Sequence, residues 1–274
     1  MNLSKPRKLN FIPTMGNLHD GHFELIRQAK KNKNINLVSI YINPLQFNDK
    51  KDLDNYPRSL DKDLKNLREL GVHMVYLPEN DFNLNNSSTI QLGEIVNKLC
   101  GKSRKGHFEG VATIILKFLL IIKPEQIYLG EKDFQQILVV KKIIKDFNFD
   151  VKVKTVPTIR GPGGIALSSR NQLIKNLKSL KKVYDCLSKI KKKICEDDFY
   201  MKDLRHFEGD LIKSGVCKVN YLEILRESDL AKLTSVPSKI RIFISCNIEG
   251  VNVIDNMSLR KVYFKEGGKL IVSS

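Results

Sequence analysis

The stretch KLNFIPTMGNLHDGHFELIRQAKK, Lys8 to Lys31, decides how the chain begins to fold. KLNFIP reads as an apolar strand. GHFELIRQAKK reads as a helix with Phe23, Ile26 and Ala29 on one side. Between them lies TMGNLHDGH, a turn with Gly16 and Gly21 and two histidines, His19 and His22. A strand that runs through a glycine-containing turn into a helix is the opening unit of a parallel α/β sheet.

Outward from there the alternation continues. NLVSIYI is an uninterrupted apolar strand, SLDKDLKNLREL a helix with Leu60, Leu64 and Leu67 on one face, and VHMVYL a strand closed by Pro78. After the polar loop NDFNLNNSST come an apolar helix near residues 110–122, the strand QIYLG, the helix DFQQILVVKKIIKDF and the strand VKVKTV. Strands buried on both faces and separated by helices predict an α/β fold, a parallel sheet with helices on both sides. Beyond about residue 172 the texture changes. The long basic helix NLKSLKKVYDCLSKIKKKI is followed by short strand candidates VNYLEIL, KIRIFIS, VNVID, KVYF and KLIV, with turns at IEGVN and KEGG. These predict a smaller α+β domain, with the boundary between Asn171 and Leu177 and domains over 1–173 and 174–274.

With 274 residues and 42% hydrophobic composition the chain can build a sizeable core. MNLSKPRKLNF carries charge but no apolar signal region before Pro13. The apolar run Val111 to Ile122 contains Lys117 and falls short of the ~20 residues that span a bilayer, so a buried helix is expected and no membrane partner. Cys100, Cys186, Cys195, Cys217 and Cys246 are widely spaced without C-x-x-C, which points to free thiols in a reducing cytoplasm rather than a zinc site. The net charge of +17 raises nucleic acid as a partner. Much of it, however, is Lys on the solvated face of the helix whose other side carries Leu177, Leu180, Tyr184, Leu187, Ile190 and Ile194. A dedicated nucleic-acid partner is not expected.

The unusual polar clusters fall where strands end and helices begin, the rim on which open α/β sheets bind ligands. In TMGNLHDGH, backbone N–H groups at a helix start and two imidazoles at i, i+3 suit an anion such as phosphate. A metal would need a third ligand and normally i, i+4 spacing. GEKDFQQ offers Lys132 for phosphate, Asp133 for ribose or a metal, and the neutral amides of Gln135 and Gln136. LSSRN offers Ser168, Ser169 and Arg170 for phosphate oxygens, and NPLQF presents Gln46 to an uncharged polar group. No Walker A, G-x-G-x-x-G or G-x-S-x-G pattern occurs in its matching context. Three phosphate-compatible segments on one rim suggest a nucleotide held without a P-loop.

The segments IPTMGNLHDGH, VSIYINPLQF, YPRSLDKDL, KGHFEGVAT, YLGEKDFQQ, ALSSRN and VIDN, in that order, resemble those of the pantothenate synthetase (pantoate–β-alanine ligase) family over nearly the whole chain. The resemblance implies a Rossmann-like nucleotidyltransferase domain, a smaller C-terminal domain, a homodimer, and ATP with Mg²⁺. It implies that pantoate attacks the α-phosphate to give a non-covalent pantoyl adenylate, and that β-alanine then releases pantothenate and AMP. It assigns Met15, Gly16, Asn17, Leu18, His19, Asp20, Gly21 and His22 to ATP, with His22 as principal catalytic histidine and His19 assisting. Gly130, Glu131, Lys132 and Asp133 would approach ribose and phosphates, and Ile159 the adenine. Leu167, Ser168, Ser169 and Arg170 would close over the triphosphate, with Lys132 and Arg170 counted among the catalytic groups. Gln46 and Gln136 would hold pantoate, and Asp63 would lie near magnesium or β-alanine. Two departures stand out. RGPGGIA, Arg160 to Ala166, replaces a run in which the family carries carboxylates, and Lys105 stands where it commonly has proline.

Overall fold

A computed structural model of the chain describes residues 8–79, 82, 88–215 and 218–273. The residues before Lys8, most of the polar loop read over 80–89, and Cys217 lie outside that description. The chain forms two compact units, Met1–Val96 with Arg104–Ile159, and Asn97–Ser103 with Arg160–Ser274.

The first unit runs β1 (Leu9–Thr14), α1 (Asp20–Ala29), β2 (Ile35–Ile40), the short α2 (Lys50–Asp54), α3 (Leu60–Glu69) and β3 (Met74–Tyr76). The short α4 (Leu99–Ser103) belongs to the second unit, after which α5 (His107–Ile122), β4 (Gln126–Gly130), α6 (Phe134–Asp146) and β5 (Lys152–Val156) complete the first. Its strands lie in the order β3-β2-β1-β4-β5, all parallel. The order reverses between β1 and β4, and the crevice outside the carboxyl ends of those two strands is where such sheets take ligands.

Successive strand residues point to opposite faces, and both faces are covered. Ile12, Val38, Tyr128 and Val156 pack with Leu25, Ile26 and Ala29 of α1 and Leu67 of α3. On the other face the Phe11 ring lies 5.3 Å from that of Phe118 in α5. Burial on both faces holds for β1, β2 and β4. It does not hold for β3 and β5, which are edge strands; Met74 is 49% exposed and β5 is mostly open. Asn10 is fully buried in β1 because its amide donates to Ala29 O and Asn36 Oδ1 at 2.8 and 2.9 Å. The expected face of α3 also shifts: Leu60 is exposed, and the buried positions are Asp63 and Leu67. Among the described residues no helix is long and apolar enough to cross a membrane.

In the second unit, α7 (Leu177–Cys195) and α8 (Leu204–Lys213) accompany an antiparallel sheet. Its strands are β6 (Lys218–Arg226), β7 (Ser238–Ile248), β8 (Val251–Lys265) and β9 (Lys269–Val272), in that order. The apolar stripe of α7 joins Leu180, Val183, Leu187, Ile190 and Ile194 to Ile240, Ile242 and Ile244 of β7 in one core. VNVID and KVYF, read as two strands, are parts of the single strand β8. Besides Asn97–Ser103, this unit takes in the chain from Arg160 onward, where the sequence places the domain boundary at 173/174. Arg160 pairs with both carboxylate oxygens of Asp255 at 2.7 and 2.9 Å and bridges Ala166, which ties the following segment to the C-terminal sheet. Among the described residues, Cys100, Cys186, Cys195 and Cys246 form no disulfide.

Candidate active site at the sheet switch point

The turn after β1 is built to hold its shape. Gly16 has φ +80°, and a Cβ there would meet Ile40 Cγ2 at 3.0 Å and Asp63 Oδ2 at 3.2 Å. Asp63, 1% exposed, accepts the N–H groups of Asn17 and Leu18 at 2.7 and 2.9 Å and the Ser59 hydroxyl at 3.2 Å. Its oxygens serve the loop backbone and Ser59, which makes Asp63 an anchor of this turn. Asp63→Asn replaces one acceptor by a donor and leaves a buried N–H without its partner. We expect stability to fall by about 1–3 kcal/mol, read from a denaturant melt.

His19 is the N-cap of α1, with extended backbone (φ −139°), and its Nδ1 accepts the Gly21 N–H at 3.1 Å. His22 reaches back so that its Nδ1 accepts the His19 N–H at 3.3 Å. The two rings, with centroids 4.2 Å apart, form a reciprocal capping box in which imidazoles occupy the positions usual for Ser and Glu. This differs from the expectation of bare backbone donors: Gly21 N–H is taken by His19, and the N–H groups of His22 and Phe23 go to His19 O. The donors offered outward are instead imidazoles. With both Nδ1 atoms accepting, each proton sits on Nε2.

Electrostatics fix the same state. Burial, then the nearby Lys132 ammonium, lower the His19 pKa to about 4. Burial, then His19 and Lys132, lower that of His22 to about 3. Both rings are thus neutral donors at neutral pH, and the positive end of α1 favours that form. As pH falls, the unfolded chain takes up these protons first. The stability the rings contribute is complete above about pH 6.5 and is lost as pH drops through that value toward 4 and then 3. In the free protein, NMR titration should place both Cε1–H midpoints below pH 5; midpoints near 6.5 would contradict neutral, buried rings.

Across the switch point, Gly130 ends β4, Glu131–Asp133 form a single tight turn, and α6 starts at Phe134. Lys132 is close enough to act on both histidines, and Asp133 partly offsets it at His19. Gln136 is half-buried in the first turn of α6, while Gln135 is buried and donates to Ile95 O at 2.8 Å. Gln46 ends the turn Pro44–Gln46; its Nε2 lies 3.1 Å from Met15 Sδ, and Asn43 Nδ2 donates to its Oε1 at 3.1 Å. The first unit thus brings together Met15 with Gln46, Asn17 and Leu18 with Asp63, and His19 and His22 with Lys132. Asp20 opens α1 in an exposed position, and Ile159 is the last residue of the unit. Leu167, Ser168, Ser169 and Arg170 belong to the second unit, where Ser168 Oγ accepts the Arg170 N–H at 3.3 Å and Ser169 is 5% exposed.

Sequence reading missed Asn43, Ser59, Arg104, His107 and Gly110, which hold the site residues from behind. Arg104, His107 and Asn43 reach backbone carbonyls about 60 residues away, and Ser59 bonds the Asn17 and Asp63 side chains; no local pattern marks such contacts. The one available signal was KGHFEGVAT, a polar and glycine-containing opening to an otherwise apolar helix.

Known proteins of similar sequence and structure identify the family and the fold. The profile of the Pantoate-beta-alanine ligase family matches residues 2–258. The pantothenate synthetase of Thermosipho melanesiensis is 35% identical over 260 residues, 93% of each chain. A crystal structure of the pantothenate synthetase of Thermus thermophilus superposes with a TM-score of 0.86 at 32% identity, covering 93% of this chain and 94% of that one. The pantoate-beta-alanine ligase of Francisella tularensis, solved in complex with beta-gamma ATP and beta-alanine, gives a TM-score of 0.79 at 36% identity, over 94% of this chain and 92% of that one. The chain belongs to the pantoate-beta-alanine ligase family.

Proposed function

We propose that this protein condenses pantoate with β-alanine at the expense of ATP, giving pantothenate, AMP and pyrophosphate through a pantoyl adenylate. The observation that carries the reading is the pair of neutral, helix-capping histidines beside Lys132 at the β1/β4 switch point. A histidine with a pKa of about 3 is a poor base but a good donor, and Nε2–H groups suit charge that builds on a transferring phosphoryl group. In the first step a pantoate carboxylate oxygen bonds to the α-phosphorus, the bond to the bridging β-phosphate oxygen breaks, and pyrophosphate leaves. His22 and His19 donate to phosphate oxygens, and Lys132 adds a fixed positive charge. In the second step the β-alanine amine attacks the acyl carbon, the C–O bond to AMP breaks, and the amine proton is released.

Gln46 and Gln136 hold pantoate in this reading, because its hydroxyls need groups that both donate and accept. A phosphorylated acceptor, as in related nucleotidyltransferase chemistry, would call for Arg or Lys at those positions. Residues Met15 to His22 and Gly130 to Asp133 line the nucleotide and Ile159 flanks the adenine; the family resemblance assigns Leu167 to Arg170 to the triphosphate. The residues present do not fit a protein-held magnesium. Among the described residues no three His, Cys, Asp or Glu side chains gather, and Asp63 is committed to the turn; a magnesium ion in this reaction is carried by the triphosphate itself. A homodimer in a reducing cytoplasm completes the reading; the family resemblance supports the dimer, and the scattered cysteines, none in a disulfide among the described residues, support the compartment.

Oxygen labelling tests the adenylate. Pantoate labelled with ¹⁸O in its carboxylate should deliver one labelled oxygen to AMP at each turnover. AMP free of label would rule the adenylate out.

A further inference from the structure

The segment Lys105 to Thr113, KGHFEGVAT, enters the proposed chemistry nowhere, yet His107, the Gly110 carbonyl and the preceding Arg104 meet the turn that carries Gln46. His107 opens α5 and is 8% exposed, with Nδ1 2.7 Å from the Gln46 carbonyl oxygen. A carbonyl only accepts, so Nδ1 bears the proton and Nε2 the lone pair. Arg104 completes the arrangement. Its Nη1 is 3.2 Å from His107 Nε2, and its Nη2 donates to the same Gln46 carbonyl at 3.1 Å. Guanidinium is always a donor, so Arg104 selects the His107 tautomer whose other nitrogen grips Gln46. Asn43 closes the clamp: its Nδ2 donates to Gly110 O and to Gln46 Oε1, both at 3.1 Å, and its Oδ1 accepts the Leu45 N–H at 3.2 Å.

From this geometry we infer that His107 and Arg104 are positioning residues that set pantoate affinity by fixing the Gln46 backbone from which the amide is aimed. The inference rests on the reading that Gln46 holds pantoate. A glutamine has three rotatable bonds on a three-residue turn, so a small swing of its carbonyl moves the amide by a large fraction of an ångström. Such displacements cost productive binding steeply. The β1–α1 and β4–α6 turns, to which the reading assigns ATP, meet this clamp at Met15, whose Sδ lies 3.1 Å from Gln46 Nε2; His107 and Arg104 bond instead to the Gln46 main-chain carbonyl.

Steady-state kinetics on single and double variants test it. His107→Ala should raise the pantoate KM by roughly tenfold, the scale of a lost buried hydrogen bond, and leave the ATP KM within about twofold. His107→Asn, whose amide N–H can stand where Nδ1–H stood, should recover most of the loss. Arg104→Met, at a half-buried position, should shift pantoate KM in the same sense. In a Gln46→Ala background, His107→Ala should add nothing further. The clamp is overturned if His107→Ala leaves pantoate KM unchanged while Gln46→Ala raises it. It is equally overturned if the two effects multiply in the double variant, or if the ATP and pantoate KM values rise together. A Gln46→Ala variant with normal pantoate KM would instead remove Gln46 from pantoate binding, a separate failure with its own signature. Thermal melts of each variant show whether a kinetic change accompanies loss of fold.

Discussion

His22→Ala is expected to lower kcat by about 10²–10³, the scale of removing one preorganised donor from a developing negative charge. The fall should appear equally in kcat and kcat/KM, because the Nε2–H bond strengthens only as charge gathers on the phosphoryl oxygens. His22 also caps its own helix through Nδ1, so the variant should lose some stability, and a melt separates that from the catalytic loss. His22→Gln tests the division: its amide supplies a donor on a side chain of similar reach and should recover part of the rate. Turnover of His22→Ala close to the parent would take His22 out of the mechanism. A rate limited by a general base at this position would be a different finding. It would require a proton to reside on a ring whose pKa lies at about 3.

Gly110→Ala is the second large effect, and here the cause is contact rather than charge. A Cβ at Gly110 would overlap the carbonyl group of Leu45 and lie 2.8 Å from Gln46 N. Its neighbours are backbone, which has no rotamer to change, so either α5 or the Pro44–Gln46 turn must shift. We expect pantoate kcat/KM to fall by about 10², the cost of misplacing a substrate-holding group by around an ångström. Stability should fall by about 1–3 kcal/mol, as for overpacking in a close-packed site. A variant with parental kinetics and melting temperature would show that α5 and the turn are not held as closely as the geometry requires.

The large-scale fold was legible because burial leaves a periodic trace. β1, β2 and β4 announce themselves through Phe11 and Ile12, Leu37 and Val38, and Ile127 and Leu129, all 6% exposed or less. The edge strands β3 and β5 carry the same residue types with one neighbour fewer, and composition cannot separate a central strand from an edge. α3 misled for a related reason. Its leucines suggest one apolar face, but the carboxylate of Asp63 is the side chain that goes in, because two N–H groups some 45 residues earlier need an acceptor. α8 was not read at all, and β8 was read as two strands.

In the site, residue identity was legible and the arrangement was not. His19, His22, Lys132 and Gln46 can be named from the polar clusters at strand ends. That the two histidines cap the helix with Nδ1 and present Nε2–H follows only from where their rings lie. The same holds for Arg104 and His107, whose common partner is a main-chain carbonyl on a turn about 60 residues earlier. Side chains that serve backbone groups leave no pattern in a single sequence. Arg160 makes the point in the second unit: it pairs with Asp255, 95 residues later, and so draws the segment after Ile159 into the C-terminal unit.

The central claim is tested most directly by product formation from defined substrates. Purified protein with ATP, Mg²⁺, pantoate and β-alanine should form AMP and pantothenate in equal amounts. Omitting pantoate should abolish both products. Omitting β-alanine should confine the reaction to pyrophosphate release of about one equivalent per site, as the adenylate stays bound. AMP release that continues unchanged without pantoate and β-alanine would contradict the account.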